Sequence, residues 1–153
     1  MNRKRMAKKI LKMFNLKLPV EYSYGYAVEY DADFGFSKKL FVSNYSAFQD
    51  PASIRFERAY SKWHQEMGIP VSEDLFAILH EIGHIMTEKE FDHESHTNDL
   101  DTLAKLYENK LIDEENYAIL YNKIDAEQKA NEFAINWIKN HEFLAKTLDK
   151  QLH

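Results

Sequence analysis

Ser72-Glu73-Asp74-Leu75-Phe76-Ala77-Ile78-Leu79-His80-Glu81-Ile82-Gly83-His84-Ile85-Met86 is the most informative run in this chain. Ser72 is a good N-cap, and Glu73 and Asp74 follow in the first turn, where the helix dipole favours anions. The spacing predicts a helix from 73 to about 88. Leu75, Phe76, Leu79, Ile82, Ile85 and Met86 are apolar on several sides of it, so polar side chains in its interior have few aqueous partners. His80 and His84 stand four residues apart, which stacks both imidazoles on one face at about the separation of two neighbouring ligands on a tetrahedral metal. Glu81 lies about 100° round the helix from His80, beside such a metal and placed to take a proton from water. The competing reading makes both histidines hydrogen-bonded packing residues and Glu81 a solvated one.

Outward from this helix, the N-terminal half has a different texture. Residues 22–30 are rich in Tyr and Val with partial alternation, and Leu40-Phe41-Val42-Ser43 follows a turn region from Asp31 to Lys39. These predict an antiparallel pair of strands. Ile54, Phe56, Ala59, Tyr60 and Trp63 recur at helical spacing after Pro51, until Gly68-Ile69-Pro70 stops them. At the start, Met6, Ile10, Leu11, Met13 and Phe14 form the apolar side of a first helix that Pro19 closes. Downstream, 90–99 is polar and reads as a loop, 99–109 and 114–122 as short helices, and 124 to about 148 as one long closing helix. The fold class is α+β: one mainly helical domain over 1–153, with a basic N-terminal helix over 1–18 and a small antiparallel sheet packed beside the His80 helix within a core over 20–148.

Composition narrows the chemistry. The 153 residues include no Cys, so disulfides, thiolate metal sites and cysteine nucleophiles are excluded, and a metal must be held by imidazole and carboxylate. No apolar run is long enough to cross a membrane and the first residues do not read as a signal peptide, so a cytoplasmic protein is expected. The net charge of −5 is uneven. Residues 1–17 carry Arg3, Lys4, Arg5, Lys8, Lys9, Lys12 and Lys17 without an acid, and the other 13 basic residues face 25 acids, a balance of −12. A basic head invites a contact with nucleic acid or anionic lipid. An amphipathic helix docked on the domain with solvated lysines explains it as well, and the acidic body argues against direct nucleic-acid binding.

A third metal ligand must come from elsewhere. Thr87 and Glu90 occupy the places where a continuation through HxxGxxH would need Gly and His. Glu90, Asp92, His93, Glu94 and His96 are near in sequence but sit in the polar stretch. On the closing helix, Ala126, Ala130, Ala134, Trp137, Ile138, Leu144, Ala145 and Leu148 form an apolar stripe with Glu127 inside it, while Glu132 falls on the opposite side. A carboxylate in an apolar stripe needs a partner, and a metal is the strongest candidate. Ala130 and Ala134 are small enough to let this helix approach the His80 helix closely. Asn131, one turn after Glu127, is placed to orient an imidazole or the carboxylate by hydrogen bonding.

His80-Glu81-Ile82-Gly83-His84 followed by Glu127-Gln128-Lys129-Ala130-Asn131-Glu132-Phe133-Ala134 resembles the ImmA/IrrE family of zinc metallopeptidases, which pair an HExxH helix with a later ExxANxFA helix. The resemblance covers about residues 20–140. It implies a zincin-like, gluzincin-type metalloendopeptidase with Zn2+ on His80, His84 and Glu127 and Glu81 as catalytic base. It also implies an intracellular protease, often of a phage or mobile element, whose protein substrate is a helix-turn-helix repressor, so that cleavage regulates transcription. The sequence departs from the family in the separation of 43 positions from His84 to Glu127 and in Ile135-Asn136-Trp137-Ile138 after the second motif. Tyr117, Tyr121, His93 and His96 lie between the motifs as candidate donors to a substrate oxyanion, and a substrate strand is expected to pair with the sheet near 40–44. The alternatives are a non-proteolytic antirepressor with a structural zinc, and a metal-free helical domain whose basic head docks on a nucleic-acid-bound partner.

Overall fold

The computed structural model describes residues 1–31, 33–44 and 51–153, the side chains of 51–54 excepted; Ile54, counted in the helical pattern above, is among those. Along the described residues the order is α1 (Arg3–Met13), β1 (Val20–Ser23), β2 (Ala27–Asp31), β3 (Phe36–Ser43), α2 (Pro51–Glu66), α3 (Glu73–Met86), α4 (His93–Glu108), α5 (Glu114–Tyr121), α6 (Asp125–Asn140) and α7 (Glu142–Leu152). The architecture is mixed α+β, mainly helical.

The Asn2 side chain caps α1 by accepting from the Arg5 N–H at 2.8 Å. Met6, Ala7, Ile10 and Leu11 are buried and join one cluster with Val20, Leu40, Val42, Leu75, Ile78, Leu79, Ile82, Ala134, Ile138, Ala145 and Leu148. The basic head is therefore one wall of the core, its apolar side inward and Arg5, Lys8, Lys9, Lys12 and Lys17 exposed. The helix ends well before Pro19. Asn15 takes a left-handed conformation at φ 56°, and the Leu16 N–H closes back on the Leu11 carbonyl at 2.8 Å, an arrangement that Asn tolerates better than most residues.

The sheet corrects the antiparallel expectation. It has three strands in the order β1-β3-β2, with β1 parallel and β2 antiparallel to β3. The stretch 22–30 is split by Tyr24, Gly25 and Tyr26, and β3 begins at Phe36, so the turn after β2 is shorter than expected. Alternation alone cannot report the break, because it measures which face a side chain takes and not which strand it pairs with. Residues 40–41 are flanked on both sides, by Val20 and Glu21 in β1 and by Val28 and Ala27 in β2. The expected substrate edge near 40–44 thus belongs to the central strand, and the outer edge nearest α3 is β2.

α3 matches its sequence expectation closely, and its ends are tied to neighbouring elements. The Ser72 hydroxyl accepts from the Leu75 N–H at 3.2 Å and donates to Asp149 of α7 at 2.5 Å. Asp74 accepts from Tyr26 at 2.7 Å and from Arg3 at 3.2 Å. Just beyond the other end, the Glu88 carboxylate accepts the Ser37 N–H at 3.0 Å and the Ser37 hydroxyl. α1 and the segment between β1 and β2 thereby hold the start of α3, and β3 holds the residue just past its end.

Two further expectations fall. The polar stretch 90–99 is a loop only in part, since Asp92 caps α4 by accepting the Glu94 N–H at 3.1 Å; α4 buries little apolar surface, so its periodicity is faint. The closing helix is two helices. The chain turns at His141, whose ring stacks on Trp137 and whose carbonyl starts α7, and this lets Ala145 and Leu148 reach the core while Leu144 stays exposed. Neither Gly nor Pro marks that break.

Candidate metal centre

α3 and α6 cross in direct backbone contact. A Cβ at Gly83 would sit 2.8 Å from the Ala130 carbonyl oxygen and 3.1 Å from the Ala130 Cα. Glycine is required there by close approach, and the small Ala130 on the partner helix completes it. The crossing brings the face that carries His80 and His84 against the face that carries Glu127 and Asn131.

The ligand atoms of His80, Glu81 and His84 lie within 4.8 Å of one another, and the group can hold a metal ion. Glu127, 3% exposed, is closer still: its Oε2 lies 2.8 Å from His80 Nε2 and 3.0 Å from His84 Nε2. Glu81 Oε1 is 3.9 Å from His80 Nε2. Of the two carboxylates, Glu127 shares an oxygen with both rings, and Glu81 stands one step out. The structure brings together all five residues expected from the sequence, including Asn131, which contacts His80. Glu132 is exposed. His96 Nε2 is 3.7 Å from Glu127 Oε1, while His93 stacks on Tyr30 and pairs with the Glu88 carbonyl. Glu90, Asp92 and Glu94 make no contact with the His80–Glu127 group among the described residues.

A hydrogen-bond chain fixes which nitrogen of His80 faces the carboxylate as a lone pair. The Asn122 amide donates to the Ala118 carbonyl at 2.9 Å, a backbone acceptor with no alternative role. Its oxygen must then accept from the Asn131 amide at 2.9 Å, and the Asn131 oxygen accepts from His80 Nδ1–H at 2.7 Å. With the proton on Nδ1, a neutral His80 turns the Nε2 lone pair toward a carboxylate oxygen. Two acceptors at 2.8 Å repel unless positive charge joins them, either a second proton on the ring or a cation. Either satisfies the pair, and the donor set could hold a metal ion in place of that proton. Asn122 was missed in the sequence reading, and no sequence signal marks it, because it acts only through the tertiary contact with Asn131.

The electrostatics agree. Burial would pull the His80 imidazole down, yet Glu127, with Glu81 and Asn131, raises its pKa to about 9. Burial would raise Glu127, but hydrogen bonds and charge from His80 and His84 hold it well below the usual carboxylate range. Glu81 is pushed up by burial despite the two rings. That shift moves it toward the range in which a carboxylate can serve as a general base.

Two cavities meet at this point. One, of about 530 Å³, is lined by Phe56, Tyr60, Trp63, Phe76, His80 and Asn131 among others; the second, of about 220 Å³, by Tyr30, His84, Phe91, His96 and Glu127 among others. Tyr26, Glu81 and Tyr121 line both. Comparison with protein-family profiles, with curated proteins and with solved structures finds no match for this chain, so the site is understood from its own residues.

Proposed function

We propose that this protein is a zinc-dependent endopeptidase with Zn2+ on His80, His84 and Glu127. The observation that carries the reading is the convergence of two imidazole Nε2 atoms on one carboxylate oxygen 47 and 43 residues further along the chain, with Glu81 alongside and a cavity on either side. Imidazole and carboxylate ligands suit zinc, which when bound supplies a Lewis acid for a peptide carbonyl and lowers the pKa of water. Asn131 holds the His80 ring in the tautomer that presents Nε2. Glu81, buried and raised in pKa, takes a proton from the attacking water and passes it to the departing amine. The outer edge of β2 borders the smaller cavity and is positioned for backbone pairing with an extended peptide.

The two motifs extend the proposal to the ImmA/IrrE family and to a helix-turn-helix repressor of a phage or mobile element as the protein cut. A structural zinc in a sequestering protein is disfavoured by the cavities that reach Glu81, because closed structural sites take their fourth ligand from protein. No helix among the described residues is long and apolar enough to cross a membrane. The test is Glu81→Gln in protein purified without chelator. It should retain one zinc per chain and lose cleavage of a helix-turn-helix repressor supplied as substrate; retained zinc and full derepression without cleavage would establish the sequestering role instead.

A further inference from the structure

Hydrolysis at this centre needs a hydrogen-bond donor for the substrate oxygen, and Glu81 and Glu127 are acceptors. Of the candidates between the motifs, Tyr117 packs against Phe56 and Tyr107 and lines neither cavity. His93 is stacked on Tyr30 and bonded to the Glu88 carbonyl. His96 lines the smaller cavity only. Tyr121 differs from all three because it stands where the cavities join, with Tyr26 and Glu81 as the other shared walls. The Tyr26 hydroxyl donates to Asp74. That leaves Tyr121 as the phenol on the shared walls, with Glu81 beside it in both cavities and Glu127 in the smaller one.

Its placement is built in advance. The ring stacks on Tyr117 at 6.3 Å and meets Tyr60 edge-on at 5.9 Å. Tyr121 ends α5, and the next residue, Asn122, latches that helix end to Asn131 on α6. The hydrogen-bond chain that orients His80 therefore also anchors the helix end that carries the phenol. Preorganised donors of this kind contribute most, since they need no rearrangement when charge develops.

We propose that Tyr121 donates the hydrogen bond that stabilises the oxyanion of a peptide lying across the two cavities. The inference rests on the endopeptidase reading. Water adds to the carbonyl carbon as the C=O electron pair moves to oxygen; Glu81 receives the water proton and delivers it to the amine nitrogen as the C–N bond breaks; Tyr121 keeps its own proton throughout.

The test compares wild type with Tyr121→Phe, which keeps both ring contacts. Zinc affinity is measured against a chromophoric chelator, cleavage of a mixture of unstructured peptides by mass spectrometry, and binding of a peptide phosphonate, a tetrahedral anion, by calorimetry. The expected result is a kcat lowered about 10²- to 10³-fold, phosphonate affinity lowered in parallel, and KM, zinc affinity and melting temperature unchanged. Equal kcat and phosphonate affinity in the two proteins would overturn the assignment of Tyr121 and leave the endopeptidase reading standing. A loss of zinc affinity matching the loss of kcat would make Tyr121 a positioning residue for Glu127. A zinc-loaded wild type that neither cleaves nor binds the phosphonate would sink both.

Discussion

Gly83→Ala is the sharpest probe of how the centre is assembled, because two effects of opposite sign meet at one atom. In a helix interior Ala is favoured over Gly by about 1 kcal/mol, so propensity alone would stabilise α3. The new Cβ, however, would lie 2.8 Å from the Ala130 carbonyl oxygen and 3.2 Å from the Phe133 Cβ. Ordinary contact starts near 3.4 Å, so α6 must withdraw by roughly 0.6 Å, and overpacking of this kind costs about 1–3 kcal/mol. The net is a loss of about 0–2 kcal/mol, or a few degrees in melting temperature. Metal binding should suffer more. Glu127 lies one turn before Ala130 and moves with it, whereas ligand distances are tolerated only within about 0.2 Å, so metal affinity should fall at least tenfold. Competition against a chelator, alongside thermal unfolding without metal, measures both. Since the clash is with backbone, adding Ala130→Gly should not restore affinity. A variant with a higher melting temperature and unchanged affinity would refute the close-crossing account.

Further outcomes are expected. Asn131→Leu should lower metal affinity about 10- to 100-fold, because His80 loses the bond that sets its tautomer, and chelator competition reads it directly. Metal affinity should fall as pH drops below about 9, since His80 must release its proton to bind; a flat profile between pH 9 and 7 would contradict the His80–Glu127 coupling. For the metal-free protein the sign of the stability change differs on each side. Glu127, lowered on folding, contributes above its ordinary value of 4.5 and loses that contribution as pH falls, whereas His80, raised on folding, contributes below 6.5 and loses it as pH rises through about 9. Urea titrations should therefore show greatest stability between about pH 4.5 and 6.5, and Glu127→Gln should flatten the curve. Ser72→Ala removes both the cap and the bond to Asp149 and should cost about 1–2 kcal/mol by denaturant unfolding.

Much of the centre was legible in the chain. The i, i+4 pair His80 and His84, the cap at Ser72 and the carboxylate of Glu127 inside an apolar stripe are local patterns of helix geometry, and each sits where that geometry puts it. The small residues Ala130 and Ala134 already signalled a close crossing, and Gly83 proved to be its other half. Elements with faint or shared periodicity were misread: α4 buries few apolar residues, the bend at His141 has neither Gly nor Pro, and the sheet hides a parallel pairing behind ordinary alternation.

The residue pattern along the chain was enough to say which side chains lie on which face of α3 and α6, because rise and turn per residue are properties of the backbone alone. It was not enough to say that Glu127 would meet both imidazoles, that Asn122 would orient Asn131, that β3 would be central, or that two cavities would join at Tyr121. Those facts depend on how the elements pack, and packing is decided by contacts between residues far apart in sequence, down to the single missing Cβ at Gly83.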